Sequence, residues 1–80
     1  MQKKVKLFTA PGCPYCELTK EFLKEHNIEF EEIDVTRDKK GLDEMVKKSG
    51  QMGVPVLEIE EEIIVGFNRE RIEELLNIQD

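Results

Sequence analysis

The spacing of apolar and polar residues changes along the chain, and each change marks an element. Lys3 to Phe8 alternates and then turns continuously apolar, the pattern of a central strand covered on both faces. From Pro14 onward Leu18, Phe22 and Leu23 recur at helical spacing, with Glu17, Lys20, Glu21, Lys24 and Glu25 on the solvent side and an end expected near His26 and Asn27. Ile28 to Val35 reads as a second strand whose alternation breaks at Glu31 and Glu32, at a bulge or an exposed edge. Thr36 or Asp38 can cap a second helix over Lys39 to Lys48, with Leu42, Met45 and Val46 as its buried stripe and Ser49-Gly50 as its stop.

Pro55 opens a third strand that runs through Ile59. A hairpin at Glu60-Glu61 lacks the usual glycine or asparagine, but the apolar runs on either side leave no other place for it. The strand Glu62 to Val65 pairs back, and Asn68 caps a last helix that buries Ile72, Leu75 and Leu76. The order is β-α-β-α-β-β-α, an α/β chain whose first two strands are joined by a right-handed parallel crossover.

Length and charge narrow the function. The 80 residues make one small domain, 1–80, with no room for a second core. No apolar run approaches a membrane span, and Met1-Gln2-Lys3-Lys4 leads into a strand, so a soluble cytoplasmic protein, acting as a monomer, is expected. A net charge of -6 without a basic stripe leaves nucleic-acid binding no electrostatic footing.

Chemistry concentrates at the only two cysteines, Cys13 and Cys16. They follow the apolar run Val5-Lys6-Leu7-Phe8 and a Pro11-Gly12 turn, so the context reads as strand, loop and helix start. Pro14 suits the first helical position, which puts Cys13 at the N-cap, where unpaired amides and the helix dipole favour a thiolate. Cys13 is then the nucleophile, and Cys16, one turn inside, the thiol that resolves a mixed disulfide. Other readings are weaker. Zinc needs four ligands, and the lone His26 lies roughly 20 Å down the same helix at about 1.5 Å per residue. A structural disulfide would gain little from so short a loop, and inert buried thiols sit poorly beside an exposed Pro-Gly turn.

Cys13-Pro14-Tyr15-Cys16 is the active-site tetrapeptide of dithiol glutaredoxins, and the order of elements resembles that family's minimal thioredoxin fold over nearly the whole chain. The resemblance implies a four-stranded mixed sheet with helices 1 and 3 on one face and helix 2 on the other. It also implies a cis Val54-Pro55 bond, with the Val54 backbone pairing to a bound disulfide. Three uncharged stretches, Thr9 to Cys16, Ser49 to Leu57 and Ile63 to Asn68, are expected to meet as a neutral groove walled by Tyr15, Met52, Val54 and Phe67, with Arg69 and Arg71 at its rim. Catalytic roles fall to Cys13, Cys16, Pro14 and Tyr15, and substrate binding to Met52, Val54, Pro55, Gly66, Phe67 and Asn68.

The chain departs from the family where glutathione is held. Glutaredoxins usually place a lysine shortly before the first cysteine and a glycine pair followed by two acids, whereas here Ala10 and Val65-Gly66-Phe67-Asn68-Arg69 occupy those places. Arg69 would oppose the γ-glutamyl ammonium, so glutathione is expected to serve as reductant but to bind weakly. Gly66-Phe67 is similar to redoxins that take electrons from thioredoxin reductase and serve ribonucleotide reductase, which makes that reductase an alternative donor. Disulfide-containing proteins are the expected substrates. The reading from a different class is an iron-sulfur cluster shared between subunits through Cys13 and glutathione.

Overall fold

A computed structural model describes residues 4–76. Strands β1 (Val5–Thr9), β2 (Glu31–Asp34), β3 (Val56–Ile59) and β4 (Glu62–Val65) alternate with helices α1 (Pro14–Glu25), α2 (Lys39–Ser49) and α3 (Arg69–Leu76) in the expected order. The sheet runs β2-β1-β3-β4, with β1 and β2 parallel and the other two pairings antiparallel.

The two-residue period of β1 distributes the core. Val5 and Leu7 point to one face, where they pack with Leu57, Ile59 and Ile64 of the sheet, Phe22 and Leu23 of α1 and Ile72 of α3. Phe8 points to the other face, against Val56, Ile33, Val35 and Met45 of α2. Helices α1 and α3 therefore share one side and α2 holds the other, in the thioredoxin fold that the resemblance implies.

Caps explain the helix ends. Asp38, not Thr36, caps α2 by accepting the Gly41 N–H at 3.0 Å, while Thr36 is tied to Asp34 Oδ1 through its N–H and hydroxyl. Gly50 closes α2 in the left-handed conformation (φ 76°), its N–H on the Val46 carbonyl at 2.8 Å. Asn27 takes the left-handed position after α1 (φ 56°), and the Ile28 N–H reaches back to the Leu23 carbonyl at 2.9 Å. Asn68 caps α3 by accepting the Arg71 N–H at 3.1 Å.

Two expectations change, and one of two alternatives is borne out. The paired part of β2 is Glu31–Asp34, because Ile28 and Phe30 lie before it and pack against the α1 and α3 core, while Ile33 and Val35 serve the α2 side. The break at Glu31 and Glu32 is the exposed edge of the sheet. On α1 the inward face is Cys16, Thr19, Phe22 and Leu23, and Leu18 is 45% exposed. The start of the first strand at Lys3 lies outside the described residues.

Candidate active site

The turn Pro11-Gly12 ends β1 and sends the chain into α1. Gly12 has φ +75°, a region that strains any residue with a side chain, and this reversal places Cys13 at the start of the helix. Cys13 is the N-cap, with extended backbone (φ -103°, ψ 106°), and Pro14 follows as the first helical residue. The Cys16 N–H donates to Cys13 Sγ at 3.2 Å, and the Glu17 N–H donates to the Cys13 carbonyl at the same distance. The sulfur of Cys13 thus fills the place of a capping oxygen and faces the positive end of the helix dipole.

The two thiols are free and differ in access. Cys13 is half-buried, and Cys16 is 1% exposed. Burial pushes the Cys16 thiol up to about 12, and the hydrogen bond and charge of Cys13 push the same way; the Ala10 backbone and Lys20 oppose them. Lys20 lies one helical turn beyond Cys16. Its ammonium is held by Glu32 at 3.0 Å and Glu17 at 3.1 Å, and these two hydrogen bonds raise its pKa. Thr9, buried at the end of β1, donates to the same Glu32 carboxylate at 3.3 Å. Helical periodicity assigned Lys20 to the solvent face; its side chain is 20% exposed and lies along the flank of the site.

The three uncharged stretches do converge. An open groove of ≈ 640 Å³ is lined by Tyr15 from the first, Val54 and Pro55 from the second, and Val65, Gly66 and Phe67 from the third. Val54-Pro55 is cis. The Gly66 N–H donates to the Pro55 carbonyl at 2.8 Å, which ties the second stretch to the third. Asn68, Arg69 and Glu70 complete the wall, so the groove has a polar end at the start of α3. Of the residues expected to bind substrate, Val54, Pro55, Gly66, Phe67 and Asn68 are brought together with Tyr15.

Met52 is not. It is 68% exposed and does not line the groove, because Gly53 separates it from the turn into Val54 and its side chain projects to solvent. Arg71 is not on the rim either; it pairs with Glu62 at 3.5 Å and Glu74 at 3.0 Å. Arg69 lines the groove, but its guanidinium lies 5.8 Å over the Phe22 ring and 3.6 Å from Glu73. The acid at the polar end is Glu70, whose position next to Arg69 carried no signal in the sequence. His26 sits at the C-terminal end of α1, 4.5 Å from Phe22 between ring centroids.

Among the described residues no three His, Cys, Asp or Glu side chains converge as a metal site, and no helix is long and apolar enough to cross a membrane.

Residues 5–64 match the family model described as Glutaredoxin. An uncharacterized glutaredoxin-like 8.6 kDa protein in the rubredoxin operon of Clostridium pasteurianum is 46% identical over 72 residues, which cover 90% of this chain and 96% of that protein. Among solved structures, a mutant of the thioredoxin-like protein BC3987 is similar with a TM-score of 0.90 and 34% identity, over 95% of this chain and 97% of the other. The glutaredoxin-like protein NrdH-redoxin of Escherichia coli gives a TM-score of 0.79 and 25% identity, over 90% of this chain and 93% of its own.

Proposed function

The chain belongs to the glutaredoxin family, and from that membership we propose that it is a thiol-disulfide oxidoreductase that reduces protein disulfides or glutathione mixed disulfides through Cys13 and Cys16. The observation that carries this reading is the pairing of an accessible Cys13 sulfur, capped by the Cys16 N–H at 3.2 Å, with a second thiol buried directly behind it.

The exchange has two steps. The Cys13 thiolate attacks one sulfur of the substrate, forming a Cys13–substrate disulfide and expelling the other sulfur as a thiolate that takes up a proton. Cys16 then gives up its proton and attacks Cys13 Sγ, which forms the Cys13–Cys16 disulfide and releases the second substrate thiol. Two electrons pass from the dithiol to the substrate; one proton comes from Cys16 and the other, taken up by the first expelled thiolate, from solvent. Cys16 holds its proton in the resting dithiol because it is buried and because Cys13 lies against it. Once Cys13 is in a mixed disulfide its charge is gone, while Lys20 still favours the Cys16 thiolate, so resolution becomes easier at the moment it is needed.

Tyr15, Val54, Pro55, Gly66 and Phe67 provide the groove for the segment next to the substrate disulfide. Glutathione is the proposed reductant, reaching the polar end of the groove at Asn68 without a lysine at position 10. A second donor, thioredoxin reductase, is favoured by the similarity to NrdH-redoxin of Escherichia coli, a glutaredoxin-like protein with a thioredoxin-like activity profile. The cytoplasm, which keeps thiols reduced, is the compartment that fits this cycle.

The test is a steady-state comparison of glutathione and thioredoxin reductase as donors for one disulfide substrate. The reading predicts turnover with glutathione, and an Ala10→Lys, Arg69→Asp variant whose KM for glutathione is about 5- to 30-fold lower. Turnover with neither donor, nor with dithiothreitol, sinks the oxidoreductase reading.

A further inference from the structure

Beyond the groove lies a second hollow of ≈ 200 Å³, formed by the outer side of α1 against the start of α3. The two share Phe67 and Arg69, so one surface continues into the other. Leu18 opens onto the second hollow with 45% of its surface exposed, although its spacing on the helix suits burial. Tyr15 and Val65, exposed by 61% and 49%, line the first. Three of the four large apolar side chains that the described residues expose therefore lie along this continuous path.

The charged and titratable groups that line the second hollow are Glu21, Glu25, His26 and Arg69. Glu21 and Glu25 line the second hollow, and neither forms an ion pair among the described residues. The cation next to them, Arg69, is directed to Glu73 and to the face of Phe22. An apolar strip with two unmatched carboxylates is complementary to a polypeptide that carries an apolar side chain and then basic ones.

We propose that this face of α1 is a docking surface for a segment of the disulfide-bearing protein substrate in which lysine or arginine follows an apolar residue. The proposal rests on the dithiol reading for its choice of partner and extends it to substrate selection. Helical rise sets the distance: Glu21 and Glu25 are about 12 and 18 Å from Cys13 along α1, which an extended chain spans in roughly four to six residues. The basic residues thus stand about that far from the substrate cysteine. A second copy of this chain is a poor occupant, since at a net charge of -6 it would bring acids to acids.

Binding can be read apart from chemistry in a variant with both Cys13→Ser and Cys16→Ser. Two synthetic peptides share one S-methylated cysteine and a leucine, and differ only in carrying two lysines or two glutamates roughly four and six residues from that cysteine. Calorimetry at low salt is expected to show the lysine peptide binding about 5- to 30-fold more tightly, with the preference falling below about twofold when Glu21→Gln and Glu25→Gln are added. Leu18→Ala weakens both peptides alike. Equal binding of the two peptides, or a preference that survives the loss of both carboxylates, overturns the proposal, as does a dimer in sedimentation that Leu18→Ala dissociates. Reduction of 2-hydroxyethyl disulfide by the parent chain reports on the exchange reaction alone: its failure sinks the oxidoreductase reading, while failure of the peptide preference sinks only the docking surface.

Discussion

On the α2 face of the sheet, Lys6, Glu44, Lys48 and Glu58 join in a run of ion pairs between 2.6 and 3.1 Å, whereas the groove beginning at Tyr15 is walled by apolar side chains and backbone until it reaches α3. The first region ties a helix to two strands through groups that would otherwise be hydrated. The second sets apolar side chains and backbone, not ion pairs, beside Val54 and Pro55. Groups that hold the fold and groups proposed to do chemistry are thus carried by different surfaces, and a substitution on one should move one observable while sparing the other.

The largest separation is expected at Cys13. Cys13→Ser removes the attacking sulfur and lowers disulfide turnover by at least about a thousandfold, since the other thiol, Cys16, is buried. Its urea midpoint should stay within the range of a surface change, because a hydroxyl can still accept the Cys16 N–H. A variant that keeps more than a few per cent of parental turnover breaks the division of roles.

Gly41 tests the other surface. A Cβ there would run into the Cγ2 methyl of Ile33 and crowd the Asp38 cap, so α2 could not lie on β2 as it does. Gly41→Ala gains helix propensity of about 1 kcal/mol but forces a buried branched side chain to move, and a net loss of about 1–2 kcal/mol is expected in urea unfolding. Turnover per folded molecule should not change.

The ion-pair run is a smaller handle, with a definite pH signature. The hydrogen bond from Lys48, then that from Lys6, lowers Glu44 from its usual 4.5, and Lys48 is raised from 10.5 by Glu44 and Glu58. A lowered carboxylate contributes stability above its unfolded value that is lost as pH falls through the folded one. A raised lysine contributes below its unfolded value and loses it as pH rises through the folded one. Lys48→Met should therefore cost about 0.2–1 kcal/mol between roughly pH 5 and 10, with the difference from the parent shrinking outside that window. A difference that grows toward acid contradicts the assignment.

Smallest is the hairpin. Glu60 occupies the left-handed region (φ 56°), where a glycine has no Cβ penalty. Glu60→Gly should leave stability unchanged or raise it by up to about 1 kcal/mol, and calorimetric melting would detect the change.

The order of elements was legible because each period change coincided with a cap or a turn: Cys13-Pro14, Asp38, Gly50 and Asn68 all stand where the helices begin or end. The pair Cys13 and Cys16 was legible for the same reason. Apolarity alone misled at Leu18 and Met52. The burial of Cys16 fixes the inward side of α1, which carries Thr19 inside and Leu18 out; Thr19 is fully buried because its hydroxyl is satisfied by the Tyr15 carbonyl at 2.8 Å. Met52 sits in the loop before Val54, where no period says which way a side chain points. Lys20 and Glu32 were hidden because their contact joins a helix to the edge strand, a long-range pairing that charge pattern along one helix does not reveal.

The most direct measurement of the central claim, that Cys13 attacks and Cys16 resolves, is mass mapping of the fully reduced protein after brief exposure to a substoichiometric alkylating agent at mildly acidic pH. With Cys16 1% exposed and its thiol pushed up to about 12, the label should appear on Cys13 and be absent from Cys16. Label found first on Cys16 would contradict the account.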